Sequence, residues 1–299
     1  MAGHMERKEG ETLAESRCPE SGGEKEARKN KIMIGGLLVS AQTQAASLQL
    51  DSYSNRHPRL GLCVIVNNKT FNKQLTGQSN RDGTDVDAKA LENVFMHLGF
   101  DVRRYDDLNR TDMSISLRQV AEEDHSDADC FVCVILSHGE EGVVYGTDGK
   151  VPLEKLLGYF KGANCPTLAG KPKLFFIQAC RGRRYDFGTV IGEDQVDALP
   201  LANTRKIPTE ADFLIAYSVV PGHFSWRNNV DGSWFVQALC QVFEQHGHSA
   251  ELLQMMTLVN KIVAYDFESC TDDDFTSHMK QVPCVVSMLT RQFFFKPKY

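Results

Sequence analysis

Several features that would settle a function class at once are missing from this chain. No basic excess is present: 33 Lys and Arg stand against 39 Asp and Glu, a net charge of −6 with a pI near 5.9, which argues against a protein that coats nucleic acid. The nine cysteines are odd in number and lack the tight, regular spacing of a disulfide scaffold, so a reducing, cytoplasmic setting is expected. The first 31 residues are polar and charged and do not read as a signal peptide. The apolar run at 32–41 (IMIGGLLVSA) reaches only about half the length of a membrane span. It follows a basic patch at 28–31, but it reads as a sticky stretch within a leader, and no membrane partner is expected. No internal repeats occur. The first apolar strand candidate is followed by Asn67-Asn68-Lys69-Thr70-Phe71 with no glycine-rich loop, which disfavours a nucleotide-binding module. One CxxC pair, Cys130 and Cys133, sits in an apolar run. On a strand, side chains three positions apart point to opposite faces, so the pair cannot easily share a metal, and no cofactor is expected.

What remains is an ordinary globular composition, 42% hydrophobic and 24% charged. Residues 1–57 are rich in Glu, Lys, Gly, Ser and Gln, without sustained periodicity, and read as a disordered leader too short for a helical adaptor domain. Beyond residue 60 the pattern changes. Short apolar runs at 62–66, 102–105, 130–136, 173–179 and 213–218 read as strands, with a last strand expected over 283–295. Helical stripes are expected at 85–98, stopped by Gly99, and at about 112–122, 233–244 and 250–267. Strands alternating with helices at these intervals indicate an α/β fold with a largely parallel sheet covered on both faces. Between about 181 and 206 the apolar pattern collapses, and a loop of that length inside a compact domain is usually functional or disordered.

Two of the strands run into chemically loaded sequence. CFVCVIL leads into Ser137-His138-Gly139-Glu140, and KLFFIQA leads into Cys180-Arg181-Gly182. In an open parallel sheet the crevice beyond the carboxyl ends of the strands is where ligands bind. A thiol needs help to ionise at neutral pH, and a histidine on the adjacent rim can take its proton and later protonate a leaving amine. Gly139 leaves the amide after His138 unobstructed, and with the N–H of Cys180 it would form an oxyanion hole. A lone cysteine at a strand end is more often packing than nucleophile. The string Gln178-Ala179-Cys180-Arg181-Gly182 with an upstream histidine changes that balance.

On that string the chain resembles the caspases, of the executioner type with a short leader. The resemblance spans roughly residues 58–296. It is carried by Arg81-Asp82-Gly83-Thr84-Asp85, Leu136-Ser137-His138-Gly139, the block 171–182 (KPKLFFIQACRG), Ser225-Trp226-Arg227 and Gly232-Ser233-Trp234-Phe235. It implies a caspase-like fold, a mostly parallel six-stranded sheet flanked by helices on both faces. It implies also a zymogen that hydrolyses peptide bonds after aspartate in apoptosis, with a large subunit at 58–197 and a small one at 198–299. Arg81, Gln178 and Arg227 would line the primary pocket, since planar guanidinium forks suit a carboxylate. Phe224, Trp226 and Trp234 would wall the neighbouring subsites, and Ser225 and Asn228 would hydrogen-bond the substrate. The chain departs from the family at Pro221-Gly222-His223-Phe224, where executioner enzymes commonly carry two tyrosines, and at the acidic stretch 270–274 (CTDDD). The preference for an acidic residue four positions upstream of the cut is therefore open.

Asp194-Gln195-Val196-Asp197-Ala198 is a sequence such a pocket would itself accept, so Asp197 is the expected processing site, and Asp51 marks a second candidate for removal of the leader. The expected partners are aspartate-containing protein substrates, a second copy of the chain, an upstream activating protease and caspase inhibitors. A catalytically silent caspase-like scaffold or decoy is the alternative; it sits poorly with the presence of Cys180, His138 and both arginines.

Overall fold

An apolar strand with no polar alternation needs cover on both faces, and this chain has three in a row. Strand β1 (Arg59–Asn67) is buried from Leu60 onward, while β3 (Ala128–Leu136) and β4 (Lys173–Gln178) are buried at every position. With β2 (Asp101–Asp106), β5 (Phe213–Tyr217) and β6 (Cys284–Ser287) they form one six-stranded sheet in the order β6-β5-β4-β3-β1-β2. All neighbours are parallel except β6, which runs antiparallel to β5 and closes one edge. The structure is a computed structural model and describes residues 32–34, 37–39, 50–186, 208, 210–228, 230–271 and 276–298. Residues 50–299 group as one compact unit; in the separate unit 1–49, Ile32–Ile34 pairs antiparallel with Leu37–Val39.

Each sheet face has its own core. On one face lie α1 (Thr84–Leu98), α4 (Trp234–His246) and α5 (Leu252–Asp266), which bury Leu91, Phe95, Leu239, Phe243 and Val259 against the sheet. On the other lie α2 (Arg110–Glu122) and α3 (Leu153–Gly158), with Met113, Leu117, Leu156 and Phe160. Cys130 belongs to the first core and Cys133 to the second, as the two-residue strand period requires.

The helix ends follow from local chemistry. Gly99 (φ 98°) closes α1 in the left-handed conformation, its N–H reaching Phe95 and Met96 carbonyls. Asn109 accepts from the Asp112 amide to start α2. Glu251 starts α5 by accepting from the Leu253 and Gln254 amides, and its other carboxylate oxygen accepts from Phe293 N–H.

Three boundaries differ from those the sequence suggests. The last strand is not the whole of 283–295: β6 ends at Ser287, and the chain then turns back so that Phe293 and Phe295 fill the core behind α4 and α5. Apolarity alone cannot distinguish a strand from a tail that inserts rings into a core. Next, an antiparallel ribbon (Gly139–Glu140, Val143–Gly146, Gly149–Pro152) and α3 follow β3; elements of two to six residues are too short to show a period. Lastly, residues 50–57 pack on the body, although their composition places them with the leader. Tyr53 is buried, its hydroxyl donates to Asp212, its N–H reaches the Gln292 carbonyl, and the Asp51 carbonyl accepts from Gln292 N–H.

Phe295 is fully buried and meets the rings of Phe100, Phe243 and Phe293 at centroid distances of 5.1–5.8 Å. Phe295→Ala should cost about 3–5 kcal/mol of stability in denaturant unfolding, the range for a buried phenylalanine, whereas a loss under about 1 kcal/mol would place this tail outside the core.

Candidate active site

Sheet register fixes the frame of the site. Asn67 pairs with Leu136, and Leu136 with Gln178, so the carboxyl ends of β1, β3 and β4 lie in one row. His138 and Cys180 each follow their strand's row residue by two positions. Both line a cavity of about 250 Å³ at that rim, together with Arg81, Ser137, Gln178, Ala179, Phe224, Ser225, Trp226 and Arg227. A larger depression of about 620 Å³, at Arg110, Arg118, Lys150 and Tyr159, lies elsewhere. Three of its cations are already paired, with Asp148, Glu122 and Glu140, and neither cysteine nor histidine lines it.

The imidazole of His138 is held on two sides. Its Nε2 lies 2.8 Å from the Ser79 carbonyl, and Phe71 meets the ring edge-on at 4.7 Å. A carbonyl only accepts, so Nε2 carries the proton and Nδ1 of the neutral ring keeps its lone pair. Burial, opposed by the bond to Ser79 and reinforced by the positive charges of Arg81 and Arg227, lowers the histidine pKa to about 4. Burial likewise pushes the Cys180 thiol up, against the lowering effect of the Ser225 amide, 3.5 Å from Sγ, and of both arginines. At neutral pH the resting pair is therefore a thiol and a neutral imidazole. A Cβ on Gly139 would come within 2.8 Å of both the Ala179 Cβ and the Cys180 carbonyl, so only glycine brings the two strand ends this close.

Arg81 is 1% exposed. Its Nη1 donates to the Asn68 carbonyl at 3.1 Å and to Thr84 Oγ1 at 2.7 Å, and Thr84 in turn donates to Asn67 Oδ1. Among the described residues no carboxylate lies within ion-pairing distance of it. Burial first, and then the like charge of Arg227, push its guanidinium down to about 9, so it is charged at neutral pH and held at a cost an anion would relieve. Arg227 is lowered by burial too, and its Nε donates to the Asp82 carbonyl at 2.8 Å. Gln178 Nε2 donates to Ser225 Oγ at 2.9 Å, leaving its buried Oε1 without a partner. The cavity is built to receive a small anion beside a thiol.

Other residues singled out from the sequence fall around this centre. Phe224 and Trp226 pack edge to face at 5.5 Å, and Trp226 stacks on Trp234 at 5.7 Å. Trp234 is itself buried, so it backs the wall of the cavity without lining it. Asn228 is exposed, and its Oδ1 accepts from the Val230 and Asp231 amides. The start of the expected loop is ordered: Gly182–Arg184 pairs with Gly222–His223, and Tyr185 packs on Phe224 and Trp226 at 5.8 Å each. Tyr185, Ser79 and Phe71 were not legible as site residues, because they contribute a ring or a carbonyl rather than a reactive group. Asp197 lies outside the described residues, and Asp51 is exposed at the edge of the body.

These features find a match. The family model for the caspase domain covers residues 60–294. The chain belongs to the caspase family. It is 52% identical to Caspase-7 of Gallus gallus over 251 residues, 81% of this chain and 79% of that one. It is 50% identical to Caspase-3 of Mus musculus over 253 residues, 84% of this chain and 89% of that one. Among solved structures, Caspase-1 from Spodoptera frugiperda superposes with a TM-score of 0.76 at 43% identity, covering 83% of this chain and 96% of that one. This caspase is of the executioner type: an aspartate-specific cysteine endopeptidase made as a zymogen and acting in apoptosis. The six-stranded, mostly parallel sheet expected from the sequence is the one observed. No helix among the described residues is long and apolar enough to cross a membrane.

The depressed basicity of His138 can be read directly. Its ring resonances should titrate with a midpoint near pH 4 in an NMR titration of the unliganded protein. A midpoint near the unperturbed ~6.5 would mean that the ring is solvated and free of this burial.

Proposed function

We propose that Cys180 is the nucleophile and His138 the general base and acid of this caspase, and that Arg81, Gln178 and Arg227 bind the substrate aspartate. One observation carries the reading above the others: a fully buried guanidinium, Arg81, faces the thiol cavity beside Arg227, and among the described residues no carboxylate is hydrogen-bonded to either. A site that desolvates two cations in this way is paired for a carboxylate.

The chemistry follows from the groups in place. His138 Nδ1 accepts the thiol proton as Sγ adds to the carbonyl carbon following the aspartate Cα. The oxyanion lies against the N–H groups of Gly139 and Cys180. Collapse of that intermediate breaks the C–N bond, and the imidazolium returns its proton to the departing amine. Water, deprotonated by the same ring, then hydrolyses the thioester and frees the acid product. The low basicity of the resting imidazole is supported by two neighbouring cations that a bound aspartate would neutralise, so substrate binding itself would raise the histidine's affinity for the thiol proton.

Phe224 and Trp226 wall the subsites upstream of the aspartate, with Trp234 behind them, while Ser225 and the Asn228 amide meet the substrate backbone or an acidic side chain. Asp197 is the processing site that divides a large subunit at 58–197 from a small one at 198–299, cut by an upstream protease or a second copy of the chain. Removal of the leader at Asp51 would need the Asp51–Gln292 hydrogen bond and the Ser52–Gln292 bridge to open first. The exposed edge of β6, with Val286 40% exposed, supports a homodimer paired strand to strand, since an open apolar edge is otherwise a liability. Caspase inhibitors and a cytoplasmic location complete the reading.

Two variants test it. Cys180→Ala should lower turnover of a fluorogenic peptide ending in aspartate by roughly 10⁴-fold or more, while a modest loss would move the nucleophile elsewhere. Asp197→Ala should keep the two parts of the chain joined as one band on a denaturing gel after exposure to active enzyme, at 33.5 kDa or, once the leader is cut at Asp51, somewhat below it, and continued cutting at position 197 would refute the assignment.

A further inference from the structure

Asp87, in the first turns of α1, is a buried acid that the chemistry above does not use. It is 1% exposed, and it spends both carboxylate oxygens on one residue: Oδ1 accepts from the Ser233 N–H at 2.7 Å, and Oδ2 from the Ser233 hydroxyl at 2.5 Å. Ser233 stands at the N-cap of α4, a position where a serine hydroxyl ordinarily accepts from the helix's own amides. Here it makes no such bond. The preceding Gly232 has φ 89°, and a Cβ there would lie 2.3 Å from Asp87 Oδ1. The carboxylate thus dictates both residues of the Gly232-Ser233 pair.

That pair leads straight to the aspartate pocket. Ser233 is the antiparallel partner of Arg227, and Gly232 that of Asn228. The Arg227 side chain is tied back to the Asp82 carbonyl, in the loop that enters α1, and Arg81 is held by Thr84 at the first position of the same helix. Both guanidiniums are therefore referenced to one short segment, 81–87: Arg81 through its own loop and helix, and Arg227 through Asp82 at its side chain and Asp87 at its backbone partner. The charge count is as specific as the geometry. Two guanidiniums and one carboxylate leave a single positive charge, which one substrate carboxylate cancels. Two cations this close without such an acid would repel one another unopposed and would not hold their places in the pocket, since Asp87 supports the charge of both.

We propose that Asp87 is a positioning residue for substrate recognition: through Ser233 it fixes Arg227 opposite Arg81, and its charge offsets the repulsion that would otherwise drive the two arginines apart. The inference rests on the reading of Arg81 and Arg227 as the aspartate-binding pair. Burial raises the Asp87 carboxyl, while Ser233 and the charges of Arg81 and Arg227 hold it down, so electrostatics couples the same three residues that the hydrogen bonds connect. Asp87 touches no substrate; its effect passes through the arginines.

The test uses the full chain, processed in the linker, with steady-state kinetics on a peptide ending in aspartate. Asp87→Asn is nearly isosteric. Its carbonyl can accept from the Ser233 N–H and its amide can donate to the Ser233 hydroxyl, so it removes the charge and retains the tie. KM should rise about tenfold or more with kcat within about threefold, the signature of lost binding with the reacting groups intact. Ser233→Ala keeps the charge and removes one hydrogen bond, and should give a smaller rise, again in KM. A purely structural role would lower the unfolding midpoint and leave KM as in the wild type; that result in either folded variant overturns the proposal, and Ser233→Ala decides alone should Asp87→Asn fail to fold. Arg227→Ala separates the two levels. If it leaves aspartate hydrolysis intact, the pocket reading fails. If it abolishes hydrolysis while Asp87→Asn leaves KM unchanged, only the role of Asp87 fails.

Discussion

The constraint on which this site depends is the placement of two like-charged guanidiniums in one crevice, Arg81 buried and Arg227 half-buried. Removing a single ion from water costs several kcal/mol even after a protein relaxes around it, and the cost falls only when hydrogen bonds and opposite charge replace the lost solvent. Arg81 recovers part of it from the Asn68 carbonyl and Thr84, and Arg227 from the Asp82 carbonyl. Among the described residues neither has a carboxylate in contact. The remainder is available to a ligand, which turns a destabilising arrangement in the free protein into a selective one in the complex. Burial lowers the basicity of His138 and the same two charges add to that effect, while at Cys180 they oppose the burial that raises the thiol.

The sheet makes that arrangement reproducible. Strands buried on both faces cannot slip by one residue without carrying apolar side chains into the wrong core, and the row Asn67-Leu136-Gln178 is fixed accordingly. Asn67 begins the polar chain through Thr84 to Arg81, Leu136 precedes Ser137 and His138, and Gln178 faces the cavity directly. Three central strands each deliver one part of the site to the same level. The segment after β5 adds Ser225, Trp226 and Arg227, with the Ser225 amide approaching Sγ and the Trp226 amide donating to Gln281.

Much of this was legible in the sequence for physical reasons. β1, β3 and β4 are long and uninterrupted, Gly99 marks a helix end, and His138 and Cys180 stand directly after buried runs, where side chains of a parallel sheet meet ligands. What escaped is what depends on contacts distant in sequence. Tyr53 looks like part of a polar leader until its hydroxyl is seen on Asp212, 159 residues away. Phe293 and Phe295 look like a strand until the chain turns after Ser287. Asp87 looks like a surface acid on a helix, one of several in a run with Asp82 and Asp85, and only the approach of Gly232 and Ser233 shows that it is buried. The Gly232-Ser233 block stood out as a motif, but the reason for it lies across the fold.

The central claim, that one buried and one half-buried arginine make the enzyme require an anion next to the cut, is tested most directly by comparing kcat/KM for two peptides that differ only in aspartate versus asparagine at the scissile position. The side chains are nearly the same size, so shape is held constant and charge alone changes. Sites built around buried polar groups reject the ligand that leaves them unpaired by roughly 10⁴-fold or more, and a ratio of that order is expected here. A ratio within about tenfold, the scale of an ordinary change in packing, would mean that the arginines are solvated and that shape, not charge, selects the substrate.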